Sequence, residues 1–236
     1  MGLFYAMDPL YWALVCPAIL LALLAQVKVR SAFSKYSRVG LVGNYSGAEA
    51  AARILRDSGL HDVGIEPVRG WLSDHYDPRS RTLRLSPSVY SGRSISAVGV
   101  AAHEAGHAIQ HAAGYAPMSL RSTMVPVASL GSWLAWPMIF LGFLFNSLNM
   151  VQMGIILFAG LVAFQLVTLP VEFNASSRAR KALVESGIVV TAQEEAGVRS
   201  VLGAAALTYV AATAAAILQL LYFLLRAGML GAGGDD

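Results

Sequence analysis

Ser94-Ile95-Ser96-Ala97-Val98-Gly99-Val100-Ala101-Ala102-His103-Glu104-Ala105-Gly106-His107 is the stretch that decides how this chain is read. The run from Ser94 to Ala102 contains no proline and is compatible with a helix. On a helix, residues four apart lie about 40° apart around the axis, so the imidazoles of His103 and His107 can face one metal ion. Glu104, beside the first histidine, is close enough to take a proton from a water at that ion. Such a five-residue pattern also arises by chance, so its weight depends on the rest of the chain.

Composition points to a membrane. The chain has 236 residues, of which 56% are hydrophobic and 13% charged, with mean hydropathy +0.57. Soluble domains carry about a quarter charged residues, so much of this surface is expected to face lipid. Four segments are long and apolar enough to span a bilayer: about Pro9 to Val27, Met124 to Phe145, Met150 to Pro170 and Leu202 to Leu225. Only Asn146-Ser147-Leu148-Asn149 separates the second from the third, which predicts a tight transmembrane hairpin. No basic residue precedes the first span and no small-residue cleavage site follows it, so it reads as a retained anchor. The single cysteine, Cys16, lies in an apolar run and reads as a small hydrophobe. The basic residues are spread and not interleaved with aromatics, which argues against nucleic-acid binding.

Charge asymmetry predicts the orientation. Of 17 Lys and Arg residues, 12 lie from Lys28 to Arg121 and four from Arg178 to Arg199, with only Arg226 elsewhere. Four spans place both segments on one side, and the positive-inside tendency makes that side the cytoplasm. Lys28, Arg30, Lys35 and Arg38 directly follow the first span. Both termini are then expected to face outward.

The region from Ser31 to Met118 is the main extramembrane portion. Ser46-Gly47-Ala48-Glu49 predicts a capped helix running through Ile54 and Leu55 to a stop at Gly59. Strand-like pieces follow at Val63–Pro67, Trp71–Ser73 and Arg81–Ser86, with turn chemistry in Asp77-Pro78-Arg79-Ser80. Alternation in Arg81–Ser86 fits an exposed edge strand able to accept an extended peptide, or equally an ordinary small hairpin. Thr191 and Glu194 predict a capped, solvated helix start.

A catalytic zinc site needs a third protein donor and an open position. His111 drifts to about 80° from His103 around the helix and is poorly placed as a ligand. His75, Asp74 and Asp77 fall in a polar turn, where such residues usually do no more than turn. Glu172 stands at the boundary of the third span, where a carboxylate must be hydrated, paired or metal-bound. The hairpin carries the chain out and back, which returns Glu172 to the side that the His107 helix left. Either it is the third ligand or it pairs with Arg178 or Lys181.

His103 to His107, then a membrane hairpin, then Glu172-Phe173-Asn174-Ala175-Ser176-Ser177-Arg178-Ala179, together with Asp74-His75-Tyr76-Asp77-Pro78, resemble the YugP-like membrane zinc metallopeptidases. The likeness covers nearly the whole chain. A more distant one is to the HtpX and CAAX-prenyl-protease group, whose second motif is Glu-x-x-Ala-Asp; here Ser176 stands at its last position. The resemblance implies a mainly α membrane protein with about four transmembrane helices and a small α+β gluzincin-like cytoplasmic domain. It implies one zinc ion held by His103, His107 and Glu172. In the distant group the aspartate orients a zinc-binding histidine, a role for which Ser176 and Asn174 are the available side chains. The segments expected are an anchor (1–27), a metallopeptidase domain (28–123), a hairpin (124–171), a helical segment with the third ligand (172–201), and a last span with a short tail (202–236).

These parts imply a metalloendopeptidase in which zinc activates water and Glu104 serves as the base. His75, Tyr76 and Arg178 are the candidate stabilisers of the developing oxyanion. The expected setting is the inner (plasma) membrane of a bacterial-type cell, multi-pass, with the site facing the cytoplasm. The expected partners are a peptide or membrane-protein substrate and the lipid bilayer; no sequence feature supports an oligomer. One alternative is a site-2-type intramembrane protease, but the chain lacks a Leu-Asp-Gly motif and has no Asp between Asp77 and Asp235. The other is a non-enzymatic membrane protein with a degenerate zinc motif.

Overall fold

The computed structural model describes residues 8–70 and 73–229. Seven helices and three strands follow in the order α1 (Pro9–Tyr36), α2 (Gly47–Asp57), β1 (Gly64–Pro67), β2 (His75–Asp77), β3 (Thr82–Leu85), α3 (Pro87–Tyr90), α4 (Ile95–Ala112), α5 (Ala116–Leu144), α6 (Leu148–Glu185) and α7 (Ala192–Arg226), counted among the described residues. Of these, α1, α5, α6 and α7 are long and apolar enough to cross a membrane. The chain divides into two compact units.

The first unit comprises Met1–Leu24, Leu120–Leu169 and Thr208–Asp236. Its core is formed by Val15, Ala135, Ile139, Val151, Ile155, Phe158, Val162, Tyr222 and Phe223. Trp136 stacks edge-on against both Phe158 and Phe223, whereas Trp133 is 81% exposed. Helices α5 and α6 form the expected hairpin, closed by residues 145–147 with Asn146 at φ +53°. Its two arms touch backbone to backbone. A Cβ on Gly154 would lie 2.9 Å from the Ile139 nitrogen and 3.0 Å from the Ala135 carbonyl oxygen. Small residues at such crossings are how apolar helices gain van der Waals contact when lipid removes the hydrophobic drive.

The second unit comprises Ala25–Ser119 and Pro170–Leu207. Helix α2 begins as its sequence predicts. The Ser46 Oγ accepts from the Glu49 N–H, the Glu49 carboxylate accepts from the Ser46 N–H, and Gly59 follows the helix at φ +73°. Helix α4 is N-capped by Ser94, whose Oγ accepts from the Ala97 N–H at 3.3 Å. Most of α4 is buried, and small side chains dominate its packed faces: Ala97, Ala101, Ala102, Ala105 and Ala108. They admit close neighbours, and the surrounding core draws on Ile54, Leu83, Leu85, Val98, Val171, Ala179 and Leu183.

The sheet corrects two sequence expectations. Its order is β1-β3-β2, with β1 parallel and β2 antiparallel to β3. Thr82–Leu85 is therefore the central strand, so the exposed-edge reading fails while the hairpin reading holds with β2, and Thr82, Leu83 and Leu85 are all buried. Alternation misled because the strand has a neighbour on each side, and Arg84 escapes burial by pairing with Asp77 at 2.9 Å and Glu66 at 3.6 Å. Furthermore, His75–Asp77, expected as a turn, is strand β2, and the hairpin turn begins after it. Asp77 shapes that turn by accepting from the Arg79 N–H and the Ser80 hydroxyl. Arg84 and Ser80 hold the Asp77 carboxyl well below the usual carboxylate range. Of the expected strand Trp71–Ser73, Trp71 and Leu72 lie outside the described residues, as does the Gly231–Asp236 tail, and Ser73 is not in a strand.

Glu194 corrects a third. The start of α7 is exposed as expected at Thr191, Ala192, Gln193 and Glu195, but Glu194 itself is only 4% exposed. Thr191 does cap α7, its Oγ1 accepting from the Glu194 N–H at 3.2 Å. The Glu194 carboxylate, however, accepts from the N–H groups of Val190 and Thr191 through one oxygen and of Val42 through the other. One side chain thus ties the loop after α1 to the start of α7.

Candidate metal centre

The sequence pattern lands as expected on α4, whose 18 residues carry His103 and His107 one turn apart. Their rings stand 4.8 Å apart, centroid to centroid, at 80° to each other. Glu172 comes from α6, 69 positions later than His103, and is 2% exposed. Its Oε2 lies 3.1 Å from His103 Nε2 and 3.7 Å from His107 Nε2. One donor atom from each of the three residues falls within 4.8 Å of the others. Lys181 pairs with Glu185 at 3.7 Å and Arg178 bonds Asn174, so neither shows the ion pair weighed for Glu172.

Two helices can deliver these groups together only if they approach closely. A Cβ on Gly106 would lie 2.5 Å from the Ala175 carbonyl oxygen, so the glycine inside the motif is where α4 meets the α6 backbone. Gly106, one of three residues between the histidines, therefore cannot take a side chain without a shift of α4 or α6.

The Nδ1 atoms face away from the shared point, and each has a neutral partner. Ser176 Oγ lies 3.1 Å from His103 Nδ1. His107 Nδ1 lies 3.0 Å from Oε1 of Gln110, which is fully buried. Both contacts leave the Nε2 atoms turned to Glu172. Burial alone would lower the His107 pKa, yet its contact with Glu172 and the charges of Glu104 and Glu172 carry it above the ordinary value. The donor set suits zinc: two imidazole nitrogens and one carboxylate oxygen are the three protein ligands of a catalytic zinc site that leaves its fourth position to water.

Glu104 is buried beside the centre. Its Oε2 accepts from the Tyr76 main-chain N–H at 2.9 Å, linking α4 to strand β2. The Tyr76 hydroxyl is engaged with His111 Nδ1 at 2.9 Å, seven residues further along α4. Both contacts fall on one face of the helix, so α4 grips Tyr76 at its backbone and at its ring tip. His111 is accordingly a partner of Tyr76 and stands outside the three-donor cluster.

Several residues singled out from the sequence lie elsewhere. His75 is exposed, with Nδ1 2.8 Å from the Ser73 carbonyl oxygen. Asp74 accepts from the Ser86 N–H and hydroxyl. Asn174 accepts from Gln110 and Arg178 instead of touching a histidine, and the Arg178 guanidinium also lies over the Tyr115 ring. Gln110 escaped the sequence reading altogether, although its spacing three residues past His107 places it on the same helix face.

One curated relative, described as "Putative membrane protease YugP" from Bacillus subtilis (strain 168), is 52% identical over 217 residues, covering 92% of this chain and 96% of that protein. No solved structure matches the chain. A family model described as "Putative neutral zinc metallopeptidase" matches residues 11–228, and the chain belongs to that family of membrane proteins.

Proposed function

We propose that this chain is a multi-pass membrane zinc endopeptidase, holding one zinc ion at His103, His107 and Glu172 and using Glu104 as its base. The observation that carries this reading is the convergence of three donors from two helices, with Glu104 next to the first donor. Zinc bound there would acidify a water molecule and polarise a substrate carbonyl. His103 and His107 present Nε2 because their Nδ1 atoms are engaged by Ser176 and Gln110. The Glu104 carboxylate takes the proton of the attacking water and passes it to the departing amine. The Tyr76 N–H holds Glu104 in place.

Support for the cellular setting comes from the sequence. The basic residues between the first and second spans, and between the third and fourth, favour a cytoplasmic location for the site. The span-length helix α6 itself carries Glu172, which supports chemistry at the membrane edge. The substrates that fit are peptides and cytoplasmic segments of membrane proteins. Oxyanion stabilisation by His75, Tyr76 or Arg178 would require each to leave its present partner on substrate binding.

The test is Glu104→Gln in the full-length protein. The variant is expected to retain zinc at the wild-type stoichiometry and to lose peptide hydrolysis. Hydrolysis at the wild-type rate by the variant would refute the assignment. Comparing membrane proteomes containing either form would then reveal substrates as fragments that depend on Glu104.

A further inference from the structure

Four polar groups behind His107 form a chain in which each member dictates the next. Arg178 can only donate, and its Nε gives a hydrogen bond of 2.7 Å to Asn174 Oδ1. That makes the Asn174 atom facing inward an oxygen. Across from it, Gln110 meets two obligate acceptors, Asn174 Oδ1 at 3.0 Å and the Val171 main-chain carbonyl at 2.8 Å. The Gln110 amide must therefore point its NH2 at both. Its oxygen is left facing His107 Nδ1 at 3.0 Å, and an oxygen there accepts only if Nδ1 carries the hydrogen. In that tautomer the lone pair of a neutral His107 sits on Nε2, toward His103 and Glu172.

From this chain of obligations we infer that Gln110, aligned by Asn174, Arg178 and the Val171 carbonyl, is the positioning residue that commits His107 to bind metal through Nε2. The inference rests on the metal-centre reading above. Its physical basis is the burial of Gln110, because a flipped amide would set its oxygen against two acceptors, the Val171 carbonyl and Asn174 Oδ1, away from bulk solvent. The device also spans the two helices that supply the donors. Gln110 and His107 lie on α4, whereas Val171, Asn174 and Arg178 flank Glu172 on α6. Correct seating of α6 against α4 is thus read out directly as the tautomer of a ligand. Arg178, four residues beyond Asn174, acts here without touching a histidine, because its guanidinium can only donate to Asn174 Oδ1.

The experiment measures zinc affinity by chelator competition in full-length protein in detergent, together with the visible spectrum of the Co2+-loaded form and thermal unfolding of the metal-free form. Gln110→Met keeps the side-chain length and removes the amide. Zinc affinity is expected to fall by about 10- to 100-fold, with an altered Co2+ spectrum reporting displaced ligation. Asn174→Asp retains an acceptor for both Gln110 and Arg178 and is expected to keep zinc affinity within a few fold of wild type, whereas Asn174→Leu is expected to lose about tenfold. Wild-type zinc affinity and an unchanged Co2+ spectrum in Gln110→Met would overturn the inference. Should that variant fail to fold, equal zinc affinities for Asn174→Asp and Asn174→Leu would overturn it just as well. A wild-type protein that binds no zinc would instead refute the metal centre itself, and the inference with it.

Discussion

The Ser176 hydroxyl lies 3.1 Å from Nδ1 of His103, so the helix that brings Glu172 also orients the first histidine of the motif. The two residues are 73 positions apart. Together with Gln110 on His107, this gives both imidazoles neutral partners. A neutral hydrogen-bond partner raises ligand basicity less than a carboxylate does.

Ser176→Asp should therefore bind zinc more tightly than wild type, and Ser176→Ala more weakly by about tenfold. Chelator competition checks both. An alanine variant that binds zinc as tightly as wild type would show that the hydroxyl does not orient His103.

Gly106→Ala should destabilise the protein by roughly 1–3 kcal/mol, because its Cβ would meet the Ala175 carbonyl oxygen at 2.5 Å and backbone cannot rotate aside. Since the same contact sets the spacing of α4 and α6, zinc affinity should fall as well. Thermal unfolding of metal-free and zinc-loaded forms separates the two effects.

Glu194→Gln should cost about 1–3 kcal/mol while leaving zinc affinity unchanged. The carboxylate serves three backbone donors, and the amide can serve them through only one oxygen. Loss of zinc binding in this variant would contradict the separation between the α7 cap and the centre.

The His107 pKa is raised in the metal-free protein, and this gives opposite pH trends for the two forms. Without zinc, the protonated imidazole is favoured by Glu172 and Glu104. That contribution to stability is full below the ordinary histidine value of about 6.5 and is lost as pH rises through the raised value. With zinc, Nε2 must be deprotonated, so zinc binding should weaken as pH falls through the same range and should release a proton. Calorimetric titration of zinc in buffers of different ionisation enthalpy measures that release; pH-independent binding without proton release would count against His107 as a ligand.

Much of the centre was legible one residue at a time. The His103–His107 spacing, the helix that carries it, the Ser46 cap and the tight hairpin all follow from local periodicity and capping chemistry, which act over a turn or two of chain. Glu172 was legible through a longer argument, because a carboxylate at the end of an apolar span demands a partner. The central placement of Thr82–Leu85 was not legible, since alternation reports burial on two faces and says nothing about how many strands lie alongside. Nor was the burial of Glu194, whose partner Val42 lies 152 positions away.

The sequence by itself determined the chemistry on offer: two histidines and a base on one helix, four apolar segments and an acidic residue, Glu172, at the end of the third. Tertiary structure alone decided which groups orient which. Ser176 reaches His103, Gln110 reads Asn174 and Val171, and Glu104 leans on the Tyr76 backbone only because α4, α6 and β2 approach within hydrogen-bond distance. Gly106 permits that approach. Hydrogen bonds select partners within about 3 Å in space, whereas sequence patterns encode neighbours along the chain.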